Sequence, residues 1–214
     1  MSSEADIRAA IVAACRSMNA LGLNQGMSGN ISVRLDGRML ITPTATPYDR
    51  MTPDDIAGML IADPDAGATG PRRPSSEWRM HRDILAARTG FGALVHAHPQ
   101  ACTTLAIMRR AIPPCHYMVA TFGGEDVRCS GYATFGTQAL SDCVLDALAD
   151  RSACLMANHG MITCGTDLDQ AMWRAVELEA LAKQFLATLA AGGPVLLSSQ
   201  QIDDARAQFL SYRP

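Results

Sequence analysis

The sequence predicts an α/β layered domain covering residues 1–214. Three observations carry this: long stretches with apolar residues at helical spacing, shorter stretches that alternate or run apolar like strands, and no internal repeat. With 214 residues, the chain is long enough to close one sizeable core. Its composition, 48% apolar and 18% charged, belongs to a globular chain rather than a disordered one.

Taken in order, residues Glu4 to Asn19 read as an amphipathic helix with Ile7, Ile11, Cys15 and Met18 on one stripe. Leu21 to Gly29 is a glycine-rich loop. Ile31 to Leu35 and Met39 to Thr42 alternate as two strands around Asp36-Gly37, a pair suited to a tight hairpin turn. Thr52-Pro53-Asp54-Asp55 reads as a helix start, with a hydroxyl cap, proline at the first position and acids in the first turn. Asp63 to Pro74 is turn and loop, and Ser76 is placed to cap a helix running to about Arg88. Ala93 to Val95 reads as a short buried strand, Thr137 to Asp150 as a helix, and Ala153 to Ala157 as another buried strand. Asp167 to about Ala190 is a long helix with Leu178, Leu181, Phe185 and Leu189 near its buried stripe.

Charge and cysteine usage exclude several functions. A formal net charge of -3 offers no electrostatic footprint for nucleic acid or an anionic membrane. The 7 cysteines form no C-x-x-C pair and read as small apolar residues in a reducing compartment. The N-terminal segment lacks a basic region, so it does not read as a secretory signal, and no apolar run reaches the length of a membrane span. A cytoplasmic protein is expected.

His96-Ala97-His98-Pro99 is the most informative stretch. Residues i and i+2 of an extended segment project from one face, so both imidazoles can reach a single ion. A third histidine lies in Asn158-His159-Gly160 and a carboxylate in Ser75-Ser76-Glu77. Three nitrogens around zinc leave a position open for water or substrate, as catalytic sites do. Any one histidine, taken alone, is more often a packed or surface group than a ligand. His81, on the helix after Ser76, and His116, after Pro113-Pro114, read in that plainer way. Alone, Glu77 reads as a first-turn helix acid.

Gly26-Met27-Ser28-Gly29-Asn30, Thr42-Pro43-Thr44-Ala45 and Ser75-Ser76 are small, hydroxyl-rich segments at the ends of expected elements. Their backbone N–H groups, hydroxyls and amide can hold a phosphate without lysine. Singly, each is also ordinary turn or cap chemistry. None is a dinucleotide fingerprint or a Walker loop, so no nucleotide cofactor is indicated.

These residues, with LNQGMSGNISVR, LITPTATPYDRMT, PSSEWRMH, LVHAHP, IPPCHYM, YATFGT, NHGMITCG and QAMWRAVELEALA, carry a resemblance. The chain resembles the class II aldolase/adducin family over roughly residues 15 to 190, in the family's order. The resemblance implies a single three-layer α/β/α domain with a mainly antiparallel central sheet. It implies a four-fold homotetramer whose active sites lie between subunits. It also implies one zinc per subunit held by His96, His98 and His159, with Glu77 as resting ligand and as acid/base in turnover. Manganese, iron and cobalt suit the same donors. The implied phosphate pocket is Asn30, Thr44, Ser75 and Ser76, with backbone of the same loops at Ser28, Gly29 and Ala45. Tyr117, otherwise a packed loop aromatic, would reach the site from a neighbouring subunit and protonate the aldehyde-derived oxygen.

The implied reaction is reversible cleavage of a ketose 1-phosphate, such as L-fuculose 1-phosphate, into dihydroxyacetone phosphate and an aldehyde such as lactaldehyde. Breaking C3–C4 leaves an enediolate whose charge a divalent metal stabilises, so no lysine Schiff base is required. The chain has one lysine, Lys183, inside the long helix and remote in sequence from the histidines, Glu77 and the hydroxyl-rich loops. Met27 and Ala45 stand where close members of the family carry threonine and glycine, removing a hydroxyl and adding a methyl beside the expected anion. That leaves an unphosphorylated dihydroxyacetone donor open, beside 5-deoxy or methylthio ketose phosphates. Dehydration of methylthioribulose 1-phosphate and pentulose-phosphate 4-epimerisation are further alternatives, although epimerases usually carry aspartate at the Glu77 position. A non-catalytic adducin-like interaction module is the rival from another class, against which all three histidines argue.

Overall fold

The computed structural model describes residues 3–211. Helix α1 (Glu4–Ala20) opens at Ser3, whose hydroxyl and backbone exchange hydrogen bonds with Asp6 in a reciprocal cap. Ile11, Val12, Cys15 and Met18 are buried on one side of it. The expected hairpin follows as β1 (Asn30–Leu35) and β2 (Arg38–Ile41), paired Leu35 to Arg38. Asp36 and Gly37 both take positive φ, 46° and 76°, which matches the twist of a two-residue turn.

The helix expected at Thr52 is corrected to a single 3-10 turn, Pro53–Asp55. The local signals are real, since Asp55 accepts from the Thr52 backbone N–H and hydroxyl, both at 2.9 Å. Ile56 nevertheless returns to extended backbone because the next residues form β3 (Ala57–Leu60), which pairs with β2. Within the segment expected as turn and loop lie a second 3-10 turn at Pro64–Ala66 and a two-residue strand, β4 (Ala68–Thr69), on the outer side of β3.

Helix α2 (Trp78–Ala87) begins one residue later than a Ser76 cap would place it. Glu77 occupies the cap position and its side chain makes no cap hydrogen bond. The carboxylate is drawn instead toward the imidazoles described below. Strand β5 (Ala93–Ala97) leads into α3 (Gln100–Ile107), and α4 (Gln138–Ala147) is capped by Thr137. Strands β6 (Ala153–Met156) and β7 (Gly160–Gly165) form a hairpin, followed by α5 (Leu168–Ala190) capped by Asp167, and by α6 (Ser199–Ser211).

The seven strands of the described residues form one sheet in the order β4-β3-β2-β1-β5-β7-β6, with every neighbouring pair antiparallel. Alternate residues feed two cores. Val95, Leu155 and Met161 pack with α1, α3 and α5 on one face; Leu94, Cys154 and Ile162 pack with α2 and α4 on the other. The architecture is therefore α/β/α in three layers. On α5, Leu178, Leu181 and Phe185 are buried as expected, whereas Leu189 is only half-buried. Cys15, Cys102, Cys154 and Cys164 are buried, and all seven cysteines are free thiols. Beyond β6, the chain at Arg128 to Ser130 runs alongside Leu155: Ser130 N–H donates to Leu155 O and Leu155 N–H to Arg128 O, each at 2.8 Å. No helix of the described residues is long and apolar enough to cross a membrane.

Candidate metal centre

His96 lies on β5, whose neighbours are β1 and β7, opposite Asn30 on one side and Ile162 on the other. Its ring is fully buried, and Nδ1 donates to the Met161 carbonyl at 2.8 Å. That bond assigns a proton to Nδ1 and turns Nε2, the nitrogen available to an ion, toward the site. His98, just past the strand end, brings its own Nε2 to 2.9 Å from that of His96. His159 comes from the β6–β7 turn, where Asn158 takes a left-handed φ of 55° and His159 N–H closes onto Met156 O at 2.9 Å.

The three rings face one another as a propeller, with centroids 4.8, 4.9 and 4.8 Å apart and interplanar angles of 73°, 76° and 73°. Their donor atoms all lie within 4.8 Å of one another. Two imidazole nitrogens directed at each other across 2.9 Å repel unless a proton or a cation lies between them. The donor set therefore fits a divalent ion. His81 and His116 are not part of this group: His81 Nδ1 bonds the Ser32 hydroxyl at 2.7 Å, and His116 Nδ1 accepts from Met118 N–H.

Glu77 completes the arrangement. Its Oε2 is 3.1 Å from His96 Nε2 and its Oε1 3.4 Å from His159 Nε2. Asn30 Nδ2 donates to Oε2 at 2.9 Å, while Oε1 is buried with no hydrogen-bond donor among the described residues. Burial pushes this carboxyl up, but the His96 charge and hydrogen bond, with His159 and Asn30 behind them, win and hold it well below the usual carboxylate range. Burial opposes charge on His96, yet Glu77 raises it above the ordinary histidine value. Burial, reinforced by repulsion from His96, holds His98 to about 3 and His159 to about 4. Both present neutral nitrogen donors at neutral pH, the form a metal requires.

A cavity of about 670 Å³ opens in front of this group. Every residue expected in the phosphate pocket lines it: Ser28, Gly29, Asn30, Thr44, Ala45, Ser75 and Ser76. Two of the loops are zipped together, since Thr44 N–H donates to Arg73 O at 3.0 Å and Ser75 N–H to Thr42 O at 2.9 Å. The third is pinned from below. Tyr48 O–H donates to Gly29 O at 2.5 Å and accepts from Asn24 Nδ2 at 3.1 Å. Gly29 must be glycine because a Cβ there would stand 2.6 Å from His96 O. A larger cavity, about 930 Å³ around Arg110, Arg151 and Arg206, contains none of the histidines, so cavity size alone does not locate the chemistry.

Sequence reasoning passed over Asn24, Tyr48 and Phe135, which shape or line the same space. The stretches LNQG, TPYD and YATFGT contained them, but nothing in their residue types marked a role. Tyr117 is not brought to the cavity of its own chain; it is 51% exposed and stacks on Phe209 at 5.9 Å.

The sequence model of the family described as Class II Aldolase and Adducin N-terminal domain matches residues 9–186. The chain belongs to this family. A 5-methylthioribulose-1-phosphate/5-deoxyribulose-1-phosphate aldolase of Rhodospirillum rubrum is 44% identical over 206 residues, covering 96% of this chain and 92% of that one. An L-fuculose phosphate aldolase of Escherichia coli strain K12 is 43% identical over 203 residues, covering 94% and 93%. A solved L-fuculose 1-phosphate aldolase superposes with a TM-score of 0.92 at 32% identity, covering 98% of both chains. The protein is thus a class II aldolase, in a metal-dependent family. Ala45 adopts a left-handed φ of 49°, a conformation that favours glycine. Met27 is exposed and lines the cavity.

Proposed function

We propose that this class II aldolase reversibly cleaves a ketose 1-phosphate into dihydroxyacetone phosphate and a short aldehyde, with zinc as its metal. The observation that carries the reading is one cavity lined by the neutral His98 and His159 imidazoles, the buried Glu77 carboxylate and three lysine-free anion-binding loops, with His96 directly behind. His96, His98 and His159 would hold the ion, with Glu77 as a further ligand at rest. A divalent ion held by these residues would supply Lewis acidity for the charge that develops on the ketose. Asn30, Thr44, Ser75 and Ser76, with backbone amides at Ser28, Gly29 and Ala45, receive the phosphate.

Glu77 moves the proton between the donor carbon and solvent, with Asn30 holding one of its oxygens in place. Lys183 is engaged with Glu179 at 3.4 Å, in keeping with a mechanism that uses no Schiff base. Tyr117, exposed and absent from its own cavity, delivers a proton to the aldehyde oxygen of a neighbouring subunit, which calls for the four-fold homotetramer. We further propose that the lyase is cytoplasmic, with residues 1–214 forming one catalytic domain.

L-Fuculose 1-phosphate, which yields lactaldehyde, is the simplest substrate. The 44% identity to a methylthioribulose/deoxyribulose 1-phosphate aldolase favours a second, the 5-deoxy or methylthio pentulose 1-phosphates. The test is release of dihydroxyacetone phosphate from a panel of these ketoses, with chelator and with zinc restored. Chelator-sensitive release supports the reading and ranks the aldehydes. No release from any ketose, by protein that binds zinc, overturns it.

A further inference from the structure

We propose that Glu179, on α5, is a positioning residue for the metal ligand His98. The inference rests on the metal-centre reading and extends it to a residue well outside the cavity. Helix α3 starts directly after His98-Pro99, with Pro99 at its cap position. The first-turn amides of a helix have no partner within it, and proline has no side-chain oxygen to offer them. Glu179 supplies what is missing from 77 and 78 positions along the chain: Oε1 accepts from Ala101 N–H at 3.1 Å and Oε2 from Cys102 N–H at 3.0 Å. Its carboxylate is buried, and Lys183 Nζ approaches Oε1 at 3.4 Å from the solvent side.

This clamp matters because of how His98 differs from His96. The His96 ring is oriented directly by Met161 O and by a strand bonded on both sides. Among the described residues, the His98 ring has no hydrogen-bond partner besides His96 Nε2, and His98 lies beyond the end of β5. Its direction is inherited from the backbone. On one side Gly160 fixes that backbone, since a Cβ there would stand 2.5 Å from Ala97 O and 2.6 Å from His98 Cδ2. On the other side the backbone enters α3, where Glu179 holds the first turn. Helix α5 is itself bound to the sheet, with Thr163 Oγ donating to Ala171 O at 2.9 Å. The carboxylate therefore sets the distance between a helix anchored to the sheet and the residue pair that carries the ligand.

Replacing Glu179→Gln keeps the size but turns an NH₂ toward one of the two amides. Zinc affinity of the folded protein should fall about 10- to 100-fold, the range for residues that support a metal ligand. The visible absorption of the cobalt-substituted protein should change as well. A role confined to folding would lower Tm and leave both unchanged, and that result overturns the proposal. Lys183→Met, which keeps the clamp, should leave zinc affinity within about twofold, as expected for an exposed ion pair.

If E179Q does not fold, the wild-type protein carries the test through reciprocity of coupling. Zinc should then slow hydrogen exchange at the Ala101 and Cys102 amides more than at those of α1. Equal slowing in the two helices counts against the proposal. Wild-type protein that binds no zinc overturns the metal-centre reading and this inference together, whereas wild-type binding matched by E179Q overturns the inference alone.

Discussion

Asn30 Nδ2 donates to Glu77 Oε2 at 2.9 Å, tying the first residue of β1 to the residue that opens α2. Both side chains are buried, so neither has water to replace the other. Asn30→Ala should cost about 1–3 kcal/mol of stability by stripping a donor from a buried carboxylate. It should also lower kcat more than zinc content, which parallel kinetics and metal analysis would show. Equal losses in both would assign Asn30 to the metal rather than to Glu77.

Glu77→Gln retains shape and the capability to accept from Asn30, but cannot take up a proton at the donor carbon. Turnover should fall about 10²- to 10⁴-fold, the contribution typical of general acid–base catalysis. Thermal unfolding should show a folded protein. Near-normal turnover in a verified variant would remove Glu77 from the proton transfer.

His159→Ala leaves two imidazoles for the ion. Zinc affinity should fall beyond the about 10- to 100-fold typical of losing a residue that only supports a ligand. For the wild-type protein at a free zinc concentration of about 100 times Kd, binding adds about 2.7 kcal/mol. Chelation should consequently lower the Tm of the wild type and barely move that of the variant. An unchanged metal content would refute the ligand assignment.

His81 sets a pH dependence that can be read by difference. Burial, with repulsion from the charge on His96, holds its pKa at about 3, against an ordinary value of 6.5. Below pH 6.5 the unfolded chain takes up a proton that the folded chain refuses, so stability is fully present above that pH. It is lost as pH falls toward about 3. The slope from this one group approaches about 1.4 kcal/mol per pH unit within that window. Denaturant titrations of wild type and His81→Leu between pH 7 and 5 should differ in slope by that amount; parallel curves would exclude the effect.

Ala45→Gly removes a methyl held at a φ of 49°. A non-glycine residue there costs about 1–2 kcal/mol, partly offset by the greater freedom glycine has when unfolded, about 0.4–1 kcal/mol. The variant should be up to about 1.6 kcal/mol more stable, with a lower KM for phosphorylated ketoses. A destabilised variant with unchanged KM would place no weight on this methyl.

Much of the frame was legible because its signals are local. Asp36-Gly37 announces its turn, the Ile11, Cys15 and Met18 stripe announces α1, and the buried run before His96 announces β5. What escaped was decided at a distance. Helix α3 follows a proline with no capping side chain of its own, and its cap comes from Glu179 on another helix. Strand β3 is short and includes Gly58, so neither alternation nor β-branched residues mark it. Thr52 to Asp55 carries true helix-start chemistry that pairing of the following residues overrides. At the site, the histidines were legible by spacing and the loops by composition. The shift of the α2 cap from Ser76 to Glu77, whose carboxylate turns to His96 and His159 instead of capping, was not, because those imidazoles come from two distant places in the chain.

The outer strands of the sheet bear on how molecules of this protein meet. One rim ends in β4, only two residues long and followed within five residues by Pro71 and Pro74, which cannot donate to a ladder. The other rim, β6, already has its outward Leu155 groups engaged by the chain at Arg128 and Ser130. Among the described residues, neither margin offers a row of free backbone groups on which a second molecule could continue the weave. Self-association is thereby steered to side-chain surfaces, where shape selects the partner, and crowded copies are protected from fibrous aggregation.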